Sequence, residues 1–228
     1  MIVLATAGAE TALADSLIER WATSADMAHA ASRRSPAARH VSLLARAGIR
    51  ALLFGQTAQN EWVLRADRRG KLSAIDAKGH AGPALCVAHT RGRIACALGD
   101  NSGDVRAIGV DIEAHRPRNF SAIAKWSFGP QECAAVAAGD VATFYRIWTL
   151  REALGKATGE GLALATDRRD RAADGPDSGT WRKRIGQQDW LLGHFRPTQT
   201  ISLAFAGWLK DGNSADASAV QWLDLGAM

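Results

Sequence analysis

The chain reads as an α+β protein built from two halves of similar size, residues 1–104 and 105–228. Three observations predict this. Apolar residues recur at helical spacing near the start of the chain and again past its middle. Between them, Ala84 to Glu113 holds three short runs rich in residues that fit a pleated sheet. Strand-like runs then return after the last helix, so helices and strands are grouped in both halves.

The elements follow in order. Ile2 to Ala7 reads as a first strand. Glu10 to Ala22 carries Leu13, Leu17, Ile18 and Trp21 on one helical face. A second helix spans Pro36 to Phe54: Pro36 suits a first turn, and Val41, Leu44, Ile49, Leu52 and Leu53 supply the apolar stripe. Three strands follow, ALCVAH, RIACAL and RAIGVDIE. They are divided by the turn-like Thr90-Arg91-Gly92 and by Gly99 to Asp104, which is also the expected boundary between halves. A third helix spans Asp140 to Thr158, with Asp140 as its cap and Gly159 and Gly161 as its stop. Arg168 to Gly179 reads as a loop. Strands return at Trp190–Phe195, Ile201–Trp208 and Val220–Leu225.

Composition narrows the class. At 47% hydrophobic and 22% charged residues, the 228-residue chain can bury a core and is neither disordered nor disulfide-rich. Cys86, Cys96 and Cys133 form no CxxC pair, so they are expected as buried apolar side chains in a reducing compartment. The N-terminal stretch lacks a basic n-region and carries Glu10 and Asp15, unlike a signal peptide. No run approaches the length of a membrane span, and a cytoplasmic location is expected. The net charge of +5 suits an acidic partner or a phosphate-rich ligand, or a solvated basic surface.

The chemistry-bearing residues are acids. Asp111 and Glu113 stand two apart on an expected strand, so both carboxylates face one way. Such a pair is either a solvated strand end or half of a site for a hard divalent cation. In the third helix, Trp148, Glu152 and Lys156 fall at i, i+4 and i+8, one stripe. Glu152 and Lys156 could be a simple surface ion pair. With Trp148 turning that face inward, a metal for Glu152 and a phosphate for Lys156 would satisfy both charges.

These residues resemble the signature of the phosphopantetheinyl transferases of the surfactin-synthetase-activating type. The signature is Gly-x-Asp-x-Glu, then Trp-(Ser/Thr)-x-Lys-Glu-Ala-x-x-Lys about forty residues later. Here the two parts are Gly109-Val110-Asp111-Ile112-Glu113 and Trp148-Thr149-Leu150-Arg151-Glu152-Ala153-Leu154-Gly155-Lys156. Phe128 with Glu132, Phe144-Tyr145 and Gly159-Glu160-Gly161-Leu162 also look like the family. The likeness is close from Lys71 to Leu164.

The resemblance implies a transfer of the phosphopantetheine arm of coenzyme A to a serine of an apo acyl or peptidyl carrier protein. It implies Mg²⁺, or Mn²⁺, held by Asp111, Glu113 and Glu152, with Lys156 on a phosphate oxygen and Glu152, Lys156 and Asp111 carrying catalysis. It implies nucleotide contacts from His89 and Lys71. Arg33, Arg34 and Arg39 are basic and near the second helix, and are either a contact for the 3′-phosphate, Arg39 among them, or a solvated helix end. Arg116, Arg118 and Lys125 would face the acidic helix of the carrier. The two halves would form a pseudo-dimer within one monomeric chain, with coenzyme A in the cleft between them.

Three positions depart from the pattern: Ala88 for a serine, Leu72 for a proline and Arg151 for a lysine. The first two bear on nucleotide binding. The third keeps the charge but replaces a point charge by a fork. His29, His40, His80, His115 and His194 show no metal-like spacing. Two rival readings make different predictions. A metal-dependent nuclease would bind nucleic acid with steep salt dependence, but leaves the His89 segment and the Trp148–Lys156 stripe without purpose. A non-catalytic carrier-binding module would have lost an acid, and all three are present. No nucleic-acid or membrane partner is expected.

Overall fold

A computed structural model describes residues 1–161, 167–172, 174–210 and 220–225, with Asp224 by its backbone alone. Leu162 and Leu164, which close the family-like stretch, lie outside these residues, as does Ala173 in the expected loop.

The chain runs β1 (Ile2–Gly8), α1 (Ala12–Trp21), α2 (Ser24–Ala31), α3 (Pro36–Thr57), β2 (Val63–Ala66), β3 (Leu72–Ile75), β4 (Leu85–Thr90) and β5 (Arg93–Gly99). Then come β6 (Val105–Ala114), α4 (Phe120–Ser127), α5 (Pro130–Ala138), α6 (Val141–Thr158), β7 (Gly179–Ile185), β8 (Gln188–Thr198), β9 (Ile201–Leu209) and β10 (Val220–Asp224). The mixture of helices and sheets is the expected α+β class.

Two four-stranded sheets carry the fold, in the orders β10-β1-β5-β4 and β6-β9-β8-β7; β2 and β3 form a separate hairpin. Three apolar clusters hold them. One lies under α3, where Leu44, Ile49, Leu52 and Leu53 are fully buried against Val3, Ile94 and Cys96. A second lies under α6, with Phe144, Ile147, Leu150 and Ala153 against Ala204 and Ala206. The third joins the sheets: Ile2, Leu4, Cys86 and Ala88 from one meet Ile108, Val110, Ile112, Leu203 and Phe205 from the other. The order of layers is therefore helix, sheet, sheet, helix.

The central strands come out as expected, because their apolar alternation and turn chemistry agree. Arg91 and Gly92 both take positive φ, 37° and 73°, which closes the β4–β5 hairpin with a two-residue turn of the matching twist. β10 departs from the sequence division. It leaves the second half and pairs in parallel with β1, Ile2 opposite Val220 through Thr6 opposite Asp224. Parallel pairing needs a long crossover rather than a tight turn, so no local signal announces it.

Several elements escaped the sequence reading. α2 starts with a capping box, in which Thr23 and Asp26 bond each other's backbone N–H groups, but its apolar stripe is too short to read. α4 and α5 are equally short, eight and nine residues. β7 begins at Gly179, where the loop reading stopped, and its seven residues are half-exposed rather than apolar. α3 runs on past Phe54 to Thr57 and ends on Ala58 in the left-handed region.

Candidate active site

β6 and α6 meet at the second half's core face. Along β6, Ile108, Val110 and Ile112 point to the sheet interface, while Gly109, Asp111 and Glu113 alternate to the other side. Gly109 explains why a glycine opens this motif. A Cβ there would sit 1.9 Å from the Ala153 carbonyl oxygen and 2.7 Å from the Ala157 nitrogen, both backbone atoms of α6. Only glycine lets the helix lie this close to the strand, and that approach brings Glu152 and Lys156 to the acids.

Lys156 makes the junction. Its Nζ donates to Asp111 Oδ1 at 2.7 Å and to the Val110 carbonyl oxygen at 3.1 Å. The i,i+4 pairing with Glu152 considered from sequence gives way to this reach across to β6. Burial works against the Lys156 ammonium, but Asp111, Cys86 and Glu152 together raise its pKa above the ordinary lysine value, so it is charged. Asp111 is 7% exposed, and its second oxygen, Oδ2, is buried with no hydrogen-bond partner. A buried carboxylate oxygen without a donor is costly and points to a missing cation or proton.

The two glutamates are half-buried. Burial first, then the Asp111 carboxylate, push Glu113 above the usual carboxylate range; Arg118, Arg116 and a 3.4 Å bond from Thr90 Oγ1 pull back weakly. Glu152 is raised in the same way by burial and then Asp111, with Glu113 adding to it and Lys156 opposing. Three carboxyl groups thus feel one another. Their all-oxygen donor set, with one orphaned buried oxygen, fits a hard divalent cation. Among the described residues no three acids are yet drawn into a closed ligand cluster, so holding a cation would require the two half-exposed glutamates to turn toward Asp111.

A groove leads away from these acids. Its narrow part, about 210 Å³, lies beside Lys156 and is lined by Lys71, Arg69, Leu72, Cys86 and Gly159. It shares Gly70, Leu72 and Val87 with a wider cavity of about 550 Å³ between α3, the β2–β3 hairpin and β4. His29, Arg33, Arg46 and His89 line the wider part. Both histidines are held below the ordinary imidazole range: His29 by burial, then Arg46 and Arg33; His89 by burial, then Lys156 and Arg33. Cations that depress imidazoles from several directions make a cavity suited to an anion.

The structure therefore puts His89, Lys71 and Lys156 on the walls of the joined cavities, and ties Asp111 to them through its bond from Lys156, with Glu113 and Glu152 close enough to feel Asp111. Lys71 Nζ donates to the Ala157 carbonyl oxygen at 2.7 Å, at the C-terminal end of α6. Arg69 does the same for Gly159 at 2.5 Å, a contact the sequence reading missed. Of the three N-terminal arginines, Arg33 lines the cavity. Arg39 does not, and its Nε donates to the Arg33 carbonyl oxygen at 3.1 Å. Arg34 is exposed. Ala88 faces the sheet interface at 4% exposure rather than the groove, so the missing hydroxyl there is a packing matter and not a gap in the anion site.

Trp148 is half-buried rather than enclosed, stacked on Phe144 at 5.9 Å between ring centres and tilted against Phe128 at 6.4 Å. Beside it, the Arg151 fork is used from both terminal nitrogens. NH1 donates to Glu132 Oε2 at 2.8 Å and to the Arg169 carbonyl at 3.0 Å, and NH2 reaches the Asp167 carbonyl. Glu132 is wholly buried, and its other oxygen accepts from the backbone of Arg171 and Ala172 at 2.8 and 2.7 Å. A lysine's compact ammonium could not reach these acceptors from two separate nitrogens held in one plane. Arg116 and Lys125 are exposed and Arg118 half-exposed, on and before α4.

Residues 107–206, about 44% of the chain, match the family described as the 4'-phosphopantetheinyl transferase superfamily. That segment holds β6, α6 and every acid of the site. No curated protein matches the chain. No helix is long and apolar enough to cross a membrane among the described residues.

Proposed function

We propose that this chain transfers the 4′-phosphopantetheine arm of coenzyme A to a serine of an apo acyl or peptidyl carrier protein, releasing adenosine 3′,5′-bisphosphate. The match over residues 107–206 supports phosphopantetheine transfer as the reaction type. The observation that carries the finer reading is Asp111: a buried aspartate beside two acids of raised pKa, one oxygen unpartnered, the other bonded to a lysine on the wall of a cationic groove.

Coenzyme A would lie with its nucleotide phosphates toward Arg33, Arg46 and His89 and its pyrophosphate toward Lys71 and Lys156. Asp111, Glu113 and Glu152 would hold Mg²⁺ or Mn²⁺, which when bound would offset charge on the pyrophosphate. The serine oxygen forms a bond to the β-phosphorus as the bond from that phosphorus to the bridging oxygen breaks. Glu152 takes the serine proton, a role that suits a carboxyl held above its ordinary range. Lys156 donates to the departing phosphate oxygen. In this reading the two halves act as a pseudo-dimer within one monomer, with the ligand in the groove between them, in the cytoplasm.

Incubating the protein with apo carrier proteins, coenzyme A and Mg²⁺, then weighing the carriers intact, tests the proposal. The expected result is the mass gain of one phosphopantetheine, lost when the divalent cation is chelated. No gain on fatty-acid, polyketide and peptide carriers alike would overturn it. Within the same assay, His89→Ala should raise KM for coenzyme A by roughly tenfold while barely changing KM for the analogue without its 3′-phosphate.

A further inference from the structure

A cavity of about 410 Å³ lies apart from the groove, where the end of α1, the start of α2 and the later turns of α3 meet the segment before β2. It shares no lining residue with the two cavities of the groove. Its lining holds three aromatic rings, two guanidinium groups and no acid. Trp21 and Phe54 stand 5.2 Å apart between ring centres, tilted by 46°. Trp62 is buried and pinned, its Nε1 donating to Thr57 Oγ1 at 3.2 Å. Trp21 is half-buried, and its Nε1 has no hydrogen-bond partner. The exposed Arg20 guanidinium lies over the Trp21 ring, 5.2 Å from its centre, and forms no ion pair among the described residues. Arg50, the second cation, is 8% exposed. It shares the Asp26 carboxylate with Arg46, which lines the wider cavity of the groove. Two guanidinium groups on one carboxylate leave one positive charge in excess. Arg50 NH2 reaches Thr23 and Asp26 only at 3.4 Å, so that nitrogen is weakly held.

Flat apolar walls with excess positive charge and no opposing acid set the ligand's shape and sign together. Aromatic faces favour a second ring, and a guanidinium fork matches the plane of a carboxylate. The volume lies within the roughly 300–1,000 Å³ typical of small-molecule sites. We infer that this cavity binds a small planar aromatic carboxylate, with its ring against Trp21 and Phe54 and its carboxylate toward Arg20 and Arg50. No hydrogen bond pins the Trp21 indole, so a small turn of that ring would let the ligand's oxygen accept from Nε1. The inference does not rest on the transfer reading, since the cavity is separate from the groove and its acids.

Isothermal titration of the full chain with 2-naphthoate, and with the uncharged 2-naphthamide, tests it. The wild type should bind one naphthoate with Kd of about 0.1 mM, and the amide about tenfold more weakly. Trp21→Ala should weaken naphthoate about tenfold, whereas Trp21→Phe, which keeps a ring, should stay within a few-fold of wild type. Arg20→Gln should weaken it several-fold. Arg20 is exposed, so this variant keeps the fold and carries the test if Trp21→Ala melts early. Arg33→Gln, altered in the wider cavity, should bind as the wild type does. No saturation by the wild type, or equal affinity for acid and amide, overturns the inference. So does naphthoate binding that is lost in Arg33→Gln but intact in Arg20→Gln and Trp21→Ala, because the probe then sits in the groove.

Discussion

Asp26 and Asp111 are both buried aspartates, 0% and 7% exposed, each gripped by a cation from the long helix of its half. Asp26 is closed. Arg46 NH1 donates to Oδ1 at 2.9 Å, Arg50 Nε to Oδ2 at 2.7 Å, and Thr23 adds its N–H and hydroxyl at 3.1 and 2.8 Å. Burial works to raise its pKa, but the bonds from Arg50 and Thr23 outweigh that and hold the carboxyl below its ordinary range. Asp111 is open. It has one cationic partner, one bare oxygen and two neighbouring acids that are held above their range. Two buried acids with similar exposure thus differ in how completely their oxygens are satisfied. A network satisfied from within ties α2 to α3 and leaves its acid no room for a ligand. A network with one oxygen unsatisfied, bonded to a lysine of the groove wall, leaves room for one.

The comparison breaks or sharpens most at Asp111 itself. Asp111→Ala should lower transfer roughly a thousandfold, by removing several kcal/mol of charge stabilisation, while the melt stays near wild type. Transfer within a few-fold of wild type would return Asp111 to the structural class. Asp26→Ala should do the reverse. It strands two buried guanidinium groups, so stability should fall by about 3–5 kcal/mol and the melt by roughly 10 °C, read by calorimetry. A small loss there would mean that the closed triad is not what holds α2 in place.

His194 tests whether an orphaned polar atom alone makes a site. It is 1% exposed, its Nδ1 is bonded to the Asp177 carbonyl oxygen at 2.5 Å, and its Nε2 has no partner. It lines neither of the two cavities that make up the groove. Burial pushes its pKa down to about 4. The folded state therefore refuses a proton that the unfolded state accepts, so stability falls as pH drops from about 6.5 to about 4. The fall should approach 3 kcal/mol. Urea midpoints at several pH values would show that slope in the wild type and its absence in His194→Gln, with transfer at pH 7.5 retained.

The smallest shift in stability is expected at Glu152. Glu152 has its folded pKa raised, so it favours folding only at low pH and opposes it once pH passes its folded value. Glu152→Gln should then melt slightly higher than wild type at pH 7, without divalent cation, and lose that advantage below pH 4. It should also lose transfer. A lower melt at pH 7 would show that Glu152 is paired rather than strained.

Much of the stretch that holds the acids could be read in advance. Gly-x-Asp-x-Glu states part of its own geometry, because a strand's period of two puts both acids on one face; that its glycine admits α6 is visible only in the fold. The third helix was legible from its cap, its stop and its stripe. The partners of these residues were less so. Lys156 bonding Asp111, Lys71 and Arg69 bonding the end of α6, and Arg33 rather than Arg39 on the cavity wall all join positions far apart in the chain.

What the sequence by itself determined is therefore local: element type, facing, and the acids, since periodicity and capping act over a few residues. What only the tertiary structure decided is which faces meet. Glu132 and Arg151 look like ordinary surface charges on their helices until both are buried against residues 167–172. β10 looks like a tail until it pairs with β1. Burial and long-range pairing depend on the whole chain closing on itself, and no window of a dozen residues contains that information.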